Sequence, residues 1–109
     1  EMVRFGTALG GEEATFYGLS GLGDLLATAY SLHSRNRGAG ERLVRGEEMA
    51  RLEDRGVVEG LYAVKAMVAW GKEAGVELPI AEAVHGVAYG GLDPLKALQA
   101  LMAREPKPE

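Results

Sequence analysis

Residues 18–40 read GLSGLGDLLATAYSLHSRNRGAG, and both the fold and the function turn on how this stretch is read. Glycines at 18, 21 and 23 break the chain, after which an apolar run carrying one carboxylate, Asp24, leads to the polar group Ser34, Arg35, Asn36 and Arg37. A helix turns by about 100° per residue, so positions 24, 28, 31 and 35 fall within roughly 60° of one another. On a helix running from Leu22 to Leu32, Asp24, Thr28 and Ser31 then share a polar face that leads toward Arg35. Leu22, Leu25, Leu26, Ala27, Ala29 and Leu32 flank that face with apolar groups. The pattern predicts that Asp24 lies at least partly out of water, where a carboxylate must be paired or hydrogen-bonded to stay ionised. A helix that gives up apolar surface in this way is expected to face a cleft.

The glycine spacing does not make a phosphate-binding loop. No β-branched strand precedes it, and Asp24 would set a negative charge where the phosphate should sit. A tight connection between helices is the better reading. Downstream, Arg35, Arg37, Arg42, Arg45, Arg51 and Arg55 alternate with Glu41, Glu47, Glu48, Glu53 and Asp54, the pattern of a solvated helical face. Arg35 and Arg37 stand apart, because they adjoin Ser34 and Asn36 with no acid nearby in sequence. A guanidinium beside a hydroxyl and an amide makes a donor-rich cluster suited to a dianionic phosphate. Ser34 has a second reading as the N-cap of the following helix.

Outward from this stretch, the remaining chain also reads as helices. Met2, Val3, Phe5 and Leu9 fit a short amphipathic helix that stops at Gly10 and Gly11, and residues 12–17 fit a second one that places Phe16 and Tyr17 in the core. Gly56-Val57-Val58-Glu59-Gly60 is the one hint of extended backbone. Leu61, Val64, Met67 and Val68 mark the apolar face of a helix ending at Gly75, with Trp70 packed. Glu59 is either a partner for that helix's positive end or a carboxylate facing a ligand. Pro79 opens a helix with Ile80, Ala83, Val84, Val87 and Ala88 as its buried stripe, closing at Gly90 and Gly91. Asp93-Pro94 starts the last helix, lined by Leu95, Leu98, Leu101 and Met102. The expectation is an all-α, compact multi-helix bundle over residues 1–104, followed by a flexible tail at 105–109.

Composition narrows the function. A chain of 109 residues suits one domain, and no apolar run approaches the ~18 residues that span a bilayer. A formal charge of −4 disfavours an extended phosphate-backbone partner, so no nucleic acid is expected. Cysteine is absent, and His33 and His85 lie on different segments with no bracketing acids, so no metal site is expected. Asn36 and Gln99 are the sole side-chain amides, a depletion that follows the trend in heat-adapted proteins. Survival of an amide at position 36 suggests that one is needed there. The start at Glu1 carries no secretory pattern and opens in mid-pattern, which leads us to expect a cytoplasmic protein and part of a longer chain.

Gly21-Leu22-Gly23-Asp24-Leu25, Thr28, Ser34-Arg35-Asn36-Arg37, Val57-Val58-Glu59-Gly60 and Leu78-Pro79-Ile80 together resemble the C-terminal, substrate-binding domain of the NAD(P)-dependent glycerol-3-phosphate dehydrogenases. The resemblance covers nearly the whole chain, with several motifs in order at matching separations. It implies a helical domain that packs on an N-terminal dinucleotide-binding domain, with the active site between them. By position, the family's contacts to dihydroxyacetone phosphate or glycerol 3-phosphate fall on Asp24, Ser34, Arg35 and Asn36, and Thr28 can join the Asp24 network. Contacts to NAD or NADP fall on Arg35, Val57 and Glu59. The reaction implied is reversible hydride transfer that feeds glycerophospholipid synthesis. The resemblance places the catalytic lysine upstream of Glu1, so this chain alone is expected to be inactive, and a homo-oligomer is allowed. The rival reading is a helical interaction domain that binds an anionic partner through its arginine cluster.

Overall fold

The computed structural model describes residues 1–53 and 56–105, and among these the regular elements are helices. In chain order they are α1 (Met2–Ala8), α2 (Glu13–Tyr17), a π-helical turn (Leu19–Gly23), α3 (Asp24–Tyr30), α4 (Arg35–Val44), α5 (Met49–Glu53), α6 (Glu59–Ala74), α7 (Pro79–Tyr89) and α8 (Pro94–Met102). The expected all-α architecture stands. The tail from Pro106 onward, and Asp54 and Arg55 of the arginine-dense segment, lie outside the described residues.

α6 is the longest helix and organises the rest. Its residues Leu61, Val64, Val68 and Gly71 are buried, at the three- and four-residue spacing expected of one helical face. Toward its start, Leu61 packs with Ala39 of α4, Leu52 of α5, Val58 and Ala88 of α7. Toward its end, Val64 and Val68 pack with Leu78 and Ala81. Tyr89 lies against both clusters and donates its hydroxyl to the Leu61 carbonyl at 2.9 Å. Phe5 brings α1 against α6 by meeting Trp70 edge-on, with ring centroids 5.1 Å apart. A Cβ at Gly71 would lie 2.6 Å from Leu78 Cδ1, so the absence of a side chain there admits the return of the chain into α7.

The helix ends follow the punctuation. Gly75 closes α6 in the left-handed region at φ 67°. Asp93 caps α8 by accepting from Lys96 N–H at 2.9 Å, ahead of Pro94. α7 begins at Pro79 with no cap from Leu78, and the carboxylate of Glu1 supplies one instead, accepting from the N–H groups of Ile80 and Ala81.

Several expectations are corrected. The helix expected over 22–32 is split: a π-helical turn runs through Gly23, α3 stops at Tyr30, and Ser31 is extended at φ −73°, ψ 124°. The stripe on α7 holds at Ala88, which is buried, and in part at Ala83 and Val87, which are half-buried, but Ala81 is buried while Ile80 and Val84 are exposed, because α7 packs small residues against α6 on one side and meets α8 on another. α8 likewise buries Ala97 and leaves Leu95, Leu98 and Met102 exposed. Phe16 is half-buried against Gly6 and Gly11, and Tyr17 is exposed rather than core. The arginine-dense segment is not one solvated helix. Gly46, at φ 86°, turns the chain from α4 into α5, whose Leu52 is fully buried.

Candidate functional site

Two helix starts meet on one side of α6. Ser34 is extended at φ −67°, ψ 118°, and its hydroxyl accepts from Arg37 N–H at 3.2 Å, capping α4. That cap makes Arg35 and Asn36 the first two residues of α4, where the orphan N–H groups and the positive end of the helix dipole lie. Val58, extended at φ −109°, ψ 97° and buried, leads into α6 and anchors the opposite strap of chain in the core.

This strap holds both side chains. Arg35 Nη2 pairs with Glu59 Oε1 at 2.6 Å, and Nη1 donates to the Val57 carbonyl at 3.4 Å. The Gly60 N–H donates to Asn36 Oδ1 at 3.0 Å. Because that bond occupies the amide oxygen, the orientation of Asn36 is fixed and its two N–H donors remain. The pair Arg35–Glu59 is solvent-facing, with side chains 67% and 59% exposed, so it contributes about 0–1 kcal/mol to stability. Geometry of this kind orders a guanidinium and an amide side by side without burying either.

Of the residues expected to form the site, Ser34, Arg35, Asn36, Val57 and Glu59 are brought together. Asp24 and Thr28 stand on α3, where Asp24 is exposed and Thr28 is half-buried. Against the expectation that it lies out of water, Asp24 is exposed in this structure, and its carboxylate makes no hydrogen bond or ion pair with the described residues. The leucines around it are exposed as well, Leu22 by 44%, Leu25 by 52% and Leu26 by 48%, so apolar neighbours in sequence do not shield it. Nor do residues 24, 28, 31 and 35 share one helix, because the break at Ser31 removes the 100° arithmetic.

Arg37 also departs from the expected cluster. Its Nε pairs with Glu41 at 2.9 Å, and its Nη1 reaches the carbonyls of Ala29 and Tyr30 at 3.4 and 3.3 Å. It therefore caps the C-terminus of α3 and clasps that helix to α4. Sequence reasoning missed Gly60 as a participant, although a glycine inside a helical pattern is itself a flag for a packing or functional need. Among the described residues no group of three His, Asp or Glu could hold a metal ion.

Fold and site together define a helical domain that presents guanidinium and amide donors where two helix starts join. The chain matches, over residues 1–99, the family described as the NAD-dependent glycerol-3-phosphate dehydrogenase C-terminus, and it belongs to that family. Over all 109 residues it is 84% identical to the glycerol-3-phosphate dehydrogenase [NAD(P)+] of Thermus thermophilus, covering 34% of that protein. It is 50% identical to the enzyme of the same name from Deinococcus radiodurans, covering 33% of it. The crystal structure of glycerol-3-phosphate dehydrogenase from Coxiella burnetii superposes with a TM-score of 0.87 at 34% identity, over 93% of this chain and 32% of that one. The chain thus spans about a third of the length of the relatives it matches.

Proposed function

We propose that residues 1–104 form the substrate-binding domain of an NAD(P)-dependent dehydrogenase that interconverts dihydroxyacetone phosphate and sn-glycerol 3-phosphate in the cytoplasm, supplying glycerophospholipid synthesis. The observation that carries this reading is the joint hold of residues 57–60 on Arg35 and Asn36, which turns adjacent donors outward together. Arg35 engages two oxygens of the substrate phosphate, Asn36 donates an amide N–H to it, and Ser34, whose oxygen caps α4, retains its O–H for the same group.

The nicotinamide cofactor, when bound, exchanges a hydride with the central carbon of the three-carbon phosphate. The Val57 carbonyl and the Glu59 carboxylate are both acceptors, which suits the hydroxyl and amide N–H donors of a dinucleotide. Arg35 touches both sets of partners, since it is hydrogen-bonded to Val57 and Glu59 while facing the phosphate position. Asp24 orients the reacting end of the substrate from α3 and balances the charge of the lysine that the family supplies from outside this chain, and Thr28, one turn on, joins its hydrogen-bond network. The exposed leucines of α3 and the relatives' threefold greater length support docking of a dinucleotide-binding domain against this face.

Arg35→Lys in the full-length enzyme tests the reading. Lysine keeps the charge and loses two-oxygen recognition, so the KM for dihydroxyacetone phosphate rises about ten- to hundredfold. A helical domain that attracts anions by charge alone predicts an unchanged KM, and that result refutes the proposal.

A further inference from the structure

Gly60 holds Asn36 through its backbone N–H in the reading above, but nothing there explains why position 60 lacks a side chain. Its N–H lies 3.0 Å from Asn36 Oδ1 and donates to it. A Cβ built on Gly60 would lie 2.8 Å from that oxygen and 2.9 Å from Asn36 Cγ, with the amide nitrogen at 3.3 Å. All three nearest atoms thus belong to one side chain, and the backbone of Gly60 takes no left-handed conformation that would itself demand glycine. Space for the Asn36 amide is the requirement.

We propose that Gly60 is a positioning residue for the substrate-binding step: it admits Asn36 to the start of α6 and, by donating to Oδ1, fixes the amide with its N–H donors toward the substrate phosphate. The inference rests on the reading of Asn36 as a phosphate donor. Two features of the bond enforce direction. A backbone N–H can only donate, so it selects the oxygen end of the amide and leaves the nitrogen end for the ligand. Asn36 is also the second residue of α4, so an amide locked there adds to the donors already gathered at that helix start. An alanine at position 60 displaces the tip of a flexible, exposed side chain rather than backbone, so the fold survives while the amide is misdirected.

The test is a double-mutant cycle in the full-length enzyme, with kcat and KM measured for dihydroxyacetone phosphate and thermal unfolding measured beside them. Gly60→Ala is expected to raise the KM about tenfold, the loss of one charge-assisted hydrogen bond, with a melting temperature close to wild type. Asn36→Ala is expected to raise it by a similar factor. Once the Asn36 amide is removed, the Cβ at position 60 meets no obstacle, so Gly60→Ala,Asn36→Ala matches Asn36→Ala within about twofold. Gly40→Ala on α4, where a Cβ meets nothing within 4 Å, is the control and keeps wild-type kinetics. Factors that multiply in the double variant, or a Gly60→Ala enzyme with wild-type KM beside an impaired Asn36→Ala, overturn the positioning role alone. An Asn36→Ala enzyme with wild-type KM overturns the phosphate reading and the positioning role with it.

Discussion

Arg35 and Arg37 stand two residues apart with the same side chain, and the structure predicts opposite phenotypes for their removal. Arg37→Ala deletes the 2.9 Å pair with Glu41 and both bonds to the α3 carbonyls. An i,i+4 pair contributes about 0.3–0.5 kcal/mol. Hydrogen bonds from a charged donor contribute about 1.5–3 kcal/mol at their best, but at 3.3 and 3.4 Å, on a side chain 35% exposed, a fraction of that applies. The sum is about 1–2 kcal/mol, which in a full-length chain about three times as long lowers the melting temperature by roughly 2–8 °C. Arg35→Ala removes an ion pair exposed on both sides, worth about 0–1 kcal/mol, and should lower it by only a few degrees at most. Thermal unfolding of the full-length variants, with hydrogen exchange across residues 24–38, reads both effects. Arg37→Ala should speed exchange at the end of α3, where Ser31 N–H bonds to Ala27 and Thr28 carbonyls, while Arg35→Ala should leave it unchanged and lose substrate affinity. Equal stability losses for the two variants, or wild-type exchange in Arg37→Ala, would refute the division of labour.

Two further outcomes follow from the packing and from the site. Leu52→Ala empties a fully buried position and should cost about 2–5 kcal/mol, a large share of a small domain's stability, measurable as an earlier midpoint in urea. The 109-residue chain by itself should show no oxidation of NADH or NADPH with dihydroxyacetone phosphate, and turnover restored on joining it to a dinucleotide-binding domain of a relative would confirm that the chemistry is shared between the parts.

Legibility along the chain followed the strength of local signals. α6, α7 and α8 were readable to within a residue or two because Gly75, Pro79 and the Asp93-Pro94 pair act within one turn of the helix ends they define. Arg35 and Asn36 were readable as a donor cluster from composition alone. Their holders were not, because Glu59 and Gly60 lie 24 positions downstream and only the packing of α4 on α6 brings them near. Leu52 was hidden among charged neighbours, since a five-residue helix is too short to show a period. Asp24 misled for the converse reason: a leucine-rich setting implies burial only where another element covers it, and α3 packs chiefly on the adjoining π-helical turn.

The Arg35–Glu59 pair poses an energetic question for the proposed site, because a phosphate must compete with a carboxylate already seated on the guanidinium. The magnitudes decide it. An ion pair this exposed is worth about 0–1 kcal/mol, so displacing it weakens the ligand by no more than about fivefold. A free arginine, by contrast, has roughly 2 kcal/mol of side-chain entropy to lose on binding. Holding the side chain through Glu59 and the Val57 carbonyl spends part of that loss in folding rather than at the encounter with substrate. Nη1 and Nη2 each carry a second N–H, so a phosphate approaching from solvent can add to the existing bonds and need not replace both. An acidic partner is therefore compatible with anion recognition here because the pair remains wet, and the same carboxylate in a dry pocket would abolish it.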